Sequence, residues 1–334
     1  MLSRHGIRSL CCAAVATAIV GMSSAVLAAD QVKIGFLVKQ AEEPWFQTEW
    51  AFAEKAGKEH GFEVIKIAVP DGEKTLSAID SLAANGAKGF VICPPDVSLG
   101  PSIVAKAKAN DMKVMAVDDR FVDAKGKFME DVPYLGMAAF EVGQKQGAAM
   151  ATEAQNRKWD WKETYAIINT YNELDTGKKR TDGSVDALKK AGLPEDHILF
   201  TPQKTLDVPG SMDATNAALP KLPSGAKNLI VGGMNDNTVL GGVRATAGAG
   251  FAPANVIGIG INGTDAIDEL KKKESGFFGS MLPSPDKEGY NTALQMYEWV
   301  KDGKEPPKYT AMDDVTLITR ANFKDVLTKI GLYK

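Results

Sequence analysis

A lysine, a glutamate and a tryptophan (Lys39, Glu43 and Trp45) closely follow the apolar run KIGFLV, residues 33–38. Loops between a strand and a helix are ordinarily short and built from Gly, Asn or Ser. This one carries a long donor, a long acceptor and an aromatic plate. Residues of the same kind end other apolar runs: Cys93 in KGFVIC, Asp118 and Asp119 at KVMAVDD, and Asn172, Glu173 and Arg180 beyond TYAIIN. Met234 and Asn235 follow NLIVGG, and Asn262 follows NVIGIGI. No nucleophile stands out with a base beside it, so the set is a poor one for catalysis. It suits a neutral polyol: carboxylates accept from hydroxyls, Lys and Arg donate to oxygens, and amides do both. An indole can lie against the apolar C–H face of a sugar ring.

Each residue also has a plainer reading. Trp45 could be core, although it lies off the Phe46/Trp50 face of the helix that starts at Pro44. Asp118-Asp119 could form a turn or cap a helix, and Lys39 with Glu43 could form a surface ion pair of little consequence. Arg180 could belong to a solvated helix face, and Met137 and Met234 could be core filler. Their common position at strand ends favours the functional reading, because ligands of open α/β sheets bind at the carboxyl edge.

The elements that must position them alternate β and α along the chain. Nearly continuous apolar runs at 33–38, 62–69, 88–93 and 113–118 read as parallel strands covered on both faces. Helical periodicity fills 45–60, 73–86 and 98–110. A second series has strands at 164–169, 197–202, 228–234 and 255–261, with helices near 176–191, 211–219, 236–246 and 264–273. This predicts two doubly wound parallel-sheet α/β lobes. A strand in FFGSMLPSP, a helix over 286–301, a last strand and a short closing helix exceed the quota of the second lobe. They imply three hinge crossovers, near 136–140, 282–286 and 310–315. The division expected is 30–137 plus 285–313 for the N-terminal lobe and 138–284 plus 314–334 for the C-terminal lobe.

Residues 1–29 read as a secretory signal peptide: Arg4 and Arg8 precede CCAAVATAIVGM, and Val26 and Ala28 stand at cleavage-site spacing. Its removal leaves 37 basic against 42 acidic residues, a net charge of −5, with no basic run to suit nucleic acid. Only Cys93 would remain, so no intrachain disulfide can form, and His60 and His197 lack neighbours at metal-ligand spacing. GIGING, Gly258–Gly263, matches the dinucleotide pattern but occurs in the fourth strand of its series rather than at the first βα turn, and no acid stands about twenty residues on. We read it as small residues packed under a helix, with Thr264 as that helix's N-cap. Neither cofactor nor metal is expected.

The segments KIGFLVKQAEEPWFQTEW, AVPDGEKTLSAIDSLAANGAKGFVIC, VMAVDD, NELDTGKKRTDGS, GMNDNTVLGGVRAT, IGIGINGTDA and GSMLPSPD closely resemble the arabinose-binding branch of the bacterial ABC-transporter monosaccharide-binding proteins. The likeness spans essentially the whole chain after residue 29. It implies the periplasmic binding protein type I fold, a location in the periplasm, no enzymatic activity, and a monomer. The implied ligand is L-arabinose, with D-galactose-like pyranoses as weaker ligands, delivered to a membrane ABC permease; the alternative is an exported binding protein for another monosaccharide that serves mainly a chemoreceptor or sensor. The sugar contacts it implies are Lys39, Glu43, Trp45, Cys93, Asp118, Asp119, Met137, Leu174, Thr176, Arg180, Met234, Asn235 and Asn262. Ala41, Pro94 and Arg120 stand where the family pattern has proline, threonine and glutamine. A dehydrogenase would need the nucleotide loop rejected above, and a repressor of this fold would begin with a helix-turn-helix.

Overall fold

The computed structural model describes residues 31–333, so the expected signal peptide lies outside the described residues. The first series runs β1 (Lys33–Val38), α1 (Pro44–His60), β2 (Glu63–Ala68), α2 (Gly72–Ala84), β3 (Gly89–Cys93), α3 (Gly100–Ala109), β4 (Lys113–Val117) and β5 (Tyr134–Met137). The second runs α4 (Ala139–Asn156), β6 (Thr164–Thr170), α5 (Asp175–Lys190), β7 (Ile198–Pro202), α6 (Val208–Ala218), β8 (Asn228–Gly232), α7 (Asp236–Gly248), β9 (Val256–Ile261), α8 (Ile267–Leu270) and β10 (Phe277–Leu282). The chain closes with α9 (Pro285–Asp302), β11 (Thr310–Met312), β12 (Thr316–Thr319) and α10 (Phe323–Lys329).

Two six-stranded sheets result, ordered β11-β5-β4-β3-β1-β2 and β12-β10-β9-β8-β6-β7. Every pairing is parallel except that of β12 with β10. The chain passes between the sheets three times: from β5 to β6, from β10 back to β11, and from β11 to β12. The central strands β1, β3, β4, β6, β8 and β9 are buried on both faces, which is why they read as continuous apolar runs, while the edge strands β2, β7, β11 and β12 are partly exposed. On β1, Ile34, Phe36 and Val38 face α1 and α9, while Leu37 joins Phe90 and Ile92 under α2 and α3. On the second sheet, Ile168, Ile230 and Ile259 face α4 and α5, while Val231 and Val256 face α7. In both sheets the strand order reverses beside the first strand, at β1/β3 and β6/β8. Those switch points open a crevice at the carboxyl edge.

Three elements are not read in the sequence: β5, α4, and one of the two short strands β11 and β12, which the sequence offers as a single last strand. β5 has only four residues, and α4 carries Gly143 and Gly147, which look like helix breakers. Both glycines let α4 lie against α5: a Cβ on Gly143 would stand 2.1 Å from the Arg180 carbonyl oxygen, and one on Gly147 2.2 Å from that of Ser184. The helix expected over 264–273 shrinks to α8. Asn262 and Gly263 turn the chain at φ 113° and 80°. The Thr264 hydroxyl meets the Asp265 carboxylate at 3.3 Å, and no side chain caps α8.

Candidate functional site

The loop after β1 turns Lys39 inward. Its Nζ lies 2.5 Å from Asp119 Oδ2, a residue 80 positions away, in a pair whose side chains are 15% and 5% exposed. It makes no ion pair with Glu43, so the expected alternative of a surface pair is corrected. Burial works against the charge on Lys39, but Asp119 with Cys93 and Asp118 together outweigh it, and the ammonium is held above its usual range. Burial likewise opposes ionisation of Asp119, yet Lys39 and a hydrogen bond from Thr176 hold its carboxyl below the usual range. Asp118 and Asp119 do not cap a helix. They end β4, with Asp118 at φ 59° and its carbonyl accepting from Tyr134 Oη at 2.9 Å. A left-handed non-glycine residue stores strain and is characteristic of ligand clamps.

Glu43 precedes α1 and accepts from Gln40 Nε2 at 2.9 Å and, across the crevice, from Asn237 Nδ2 at 3.4 Å. Burial and then the nearby Asp265 push its carboxyl up to about 7. Burial also pushes Asp265 up to about 6. Trp45, in the first turn of α1, is buried against the first-lobe core while also lining the cavity. The two readings weighed for it coexist.

The second sheet supplies the opposite wall. Thr176 Oγ1 donates to Asp119 Oδ1 at 2.7 Å, a direct bridge between the lobes. Arg180, one turn along α5, is buried and donates from Nη1 to the Met234 carbonyl at 3.1 Å, while its Nε has no partner among the described residues. It is therefore not on a solvated helix face. Asn235 caps α7: its Oδ1 accepts from Thr238 N at 3.0 Å, which leaves the amide donors of its side chain toward the crevice. Asn262, beyond β9, completes this wall.

One small cavity between the sheets is lined by Lys39, Glu43, Trp45, Asp118 and Asp119 from the first and by Leu174, Thr176, Arg180, Met234, Asn235 and Asn262 from the second. Cys93 and Met137 do not line it. Cys93 is fully buried in the core behind Asp119, its Sγ 3.7 Å from Oδ2, and burial pushes its thiol well up. Met137 lines a neighbouring cavity, where Arg120 stacks on Phe128 and Tyr309 at 4.9 and 5.0 Å. Asn172 and Glu173 are exposed. Sequence reasoning missed Gln40, Phe46 and Leu206 in the lining, and Asn237 and Asp265 beside Glu43. All but Leu206 lie within three residues of a position it named. In GIGING, a Cβ on Gly260 would stand 2.0 Å from Asp236 Oδ1, and Asp236 itself accepts from Gly263 N and Ser280 Oγ. The loop's geometry serves helix packing.

A family model described as periplasmic binding proteins and sugar binding domain of LacI family matches residues 31–326. The chain belongs to this family. It is 59% identical over 321 residues to the L-arabinose-binding periplasmic protein of Escherichia coli (strain K12), covering 96% of this chain and 97% of that relative. It is 43% identical over 333 residues to the ABC transporter L-arabinose-binding periplasmic protein of Azospirillum brasilense, covering 99% of each. Among solved structures, an ABC transporter periplasmic solute binding protein from Actinobacillus succinogenes 130z with bound D-allose superposes with a TM-score of 0.73 at 18% identity, covering 88% of this chain and 100% of that one. A carbohydrate transporter solute binding protein from Agrobacterium radiobacter in complex with D-arabinose gives 0.71 at 18%, covering 91% and 99%. At that identity the likeness is one of fold. For a binding protein of this fold, the cavity offers an ammonium and a guanidinium as donors, carboxylates as acceptors and an indole as an apolar plate. All converge from two sheets on one volume.

Proposed function

We propose that the protein is an exported, monomeric solute-binding protein that captures L-arabinose between its lobes and delivers it to a membrane ABC permease. On this reading residues 1–29 are the signal peptide, and segments 30–137 plus 285–313 and 138–284 plus 314–334 move as two bodies about the three crossovers. The observation that carries it is the buried Asp119 carboxylate, reached by Lys39 from its own lobe and by Thr176 from the other. A ligand that bonds this group touches both walls at once, so binding and closure are one event. The names of the two arabinose-binding relatives support the choice of sugar. A neutral pyranose suits a site whose opposite charges compensate one another, and on this reading Lys39, Asp119, Arg180 and the side-chain amide of Asn235, all of which line the cavity, bond its hydroxyls.

Calorimetry against L-arabinose, D-galactose, D-fucose, D-xylose and D-ribose tests the proposal. L-Arabinose should bind most tightly, and at 100 times its Kd it should stabilise the fold by about 2.7 kcal/mol. Heat with none of these sugars would refute it.

A further inference from the structure

Three carboxyl groups from separate elements meet beside the cavity: Glu49 in α1, Asp118 at the end of β4 and Glu288 in the first turn of α9. One oxygen of each lies within 4.8 Å of the others. Glu49 and Glu288 are 0% and 1% exposed, and none of their four oxygens has a hydrogen-bond partner outside the group; nor does Asp118 Oδ2. The helices are built to bring them together. Gly289 seats α9 on α1, where a Cβ would stand 2.3 Å from the Glu49 carbonyl oxygen. Only Asp118 of the three lines the cavity.

Three buried like charges at this spacing repel, and a protonated carboxyl is both uncharged and a hydrogen-bond donor. Resting on the sugar-binding reading of the cavity, we propose that Glu49 and Glu288 are positioning residues. As neutral acids they donate their O–H groups to the Asp118 carboxylate and aim it at the ligand. Burial and then Asp119 work against the Asp118 anion, and an O–H from Glu288 works for it. Lys39 at the end of β1 and Arg180 on α5 both favour the Asp118 anion. Burial and the negative charge of Asp118 keep protons on Glu49 and Glu288, and Asp314 beyond β11 adds to this for Glu288. Asp119 is the residue next to Asp118 beyond β4, while Cys93 on β3 and Tyr134 on β5 are held neutral by burial. The left-handed backbone at Asp118, pinned by Tyr134, sets the Cα, and the two acids set the side chain.

The test uses the full chain after residue 29 with Glu49→Gln, Glu288→Gln, Glu49→Leu and Glu288→Leu. An amide keeps the donor, whereas leucine removes it at similar volume and need not cost stability. Two readouts are taken: the infrared C=O band of protonated carboxyls in the ligand-free protein at pH 7, and L-arabinose affinity from pH 6 to 9. The band should be present in wild type and weaken in each variant. The Leu variants should bind about tenfold or more weakly, the loss expected for one hydrogen bond to a charged group. The Gln variants should recover most of that. Affinity of the wild type should fall as alkali ionises the acids; in a double Glu49→Gln, Glu288→Gln variant the fall should be smaller, leaving only the share that Glu43 and Asp265 contribute as they titrate in the same range. Leu variants with wild-type affinity, Gln variants as weak as Leu, an absent band, or affinity that depends on added Ca²⁺ or on EDTA would overturn the inference. Wild type that binds no sugar would overturn the ligand reading alone, because the weakening of the band in each variant reports the two acids without sugar, apart from the shares of Glu43 and Asp236.

Discussion

Replacing Asp119 with alanine should damage the protein in two separable ways, both set by its partners. In the ligand-free fold it strands the Lys39 ammonium, which is 15% exposed and 2.5 Å from its one ion-pair partner among the described residues. Removing one member of a buried pair costs about 3–5 kcal/mol. The slight exposure of Lys39 lets water relieve part of this, so about 3 kcal/mol is expected. Replacing Lys39 with methionine as well should remove the stranded charge. The double variant should then be more stable than the sum of the single effects predicts, by at least about 1 kcal/mol. Urea unfolding of the four proteins measures this. The pH dependence has a definite sign. Asp119 is held below its ordinary value, so its contribution is present above the unfolded pKa near 4 and is lost as pH falls through the folded value. The gap between wild type and Asp119→Ala should therefore narrow below about pH 4. For the ligand, loss of a charged hydrogen bond worth about 1.5–3 kcal/mol should raise the Kd for L-arabinose by about 10–150-fold. Additive single effects in urea would show that Lys39 and Asp119 are not coupled. An unchanged Kd would remove Asp119 from the site.

Glu43, pushed up to about 7, contributes stability that is full below about pH 4.5 and lost as pH rises through 7. Glu43→Gln should flatten this part of the stability profile, by up to about 3 kcal/mol, and an unaltered slope would place the titration elsewhere. Gly260→Ala forces a Cβ to within 2.9 Å of the Asp236 Cα, which cannot swing aside, so the urea midpoint should drop by the equivalent of about 1–3 kcal/mol or more. Cys93, fully buried in the core, should resist thiol reagents in native buffer and react only as the protein unfolds. Rapid labelling that L-arabinose blocks would instead put its sulfur in the crevice.

Which residues reach the crevice was legible because a parallel sheet sends every strand out at the same edge. Lys39, Asp119, Asn235 and Asn262 could be named from the ends of apolar runs alone. Whether a strand's last side chain faces the crevice or the core depends on parity, and that signal was present but unused. Cys93 pairs with Val38 in the register that also pairs Val91 with Phe36, so it falls on the face that α1 and α9 cover. Partner choice was not legible. Glu43 lies four residues from Lys39 and looks like its counter-ion, yet the fold delivers Asp119 from two strands away, across β3. Glu49 and Glu288 were the least visible of all. On an amphipathic helix an acid is ordinarily a surface residue, and nothing in the local pattern marks these as buried. They become a pair only when α9, about 240 residues later in the chain, returns to the first sheet and Gly289 lets it settle on α1. The clearest deviation from ordinary burial rules in the molecule thus depends on the crossover that carries the chain back from the second lobe. The chemistry next to Asp118 is therefore tied to the same connections about which the lobes would bend.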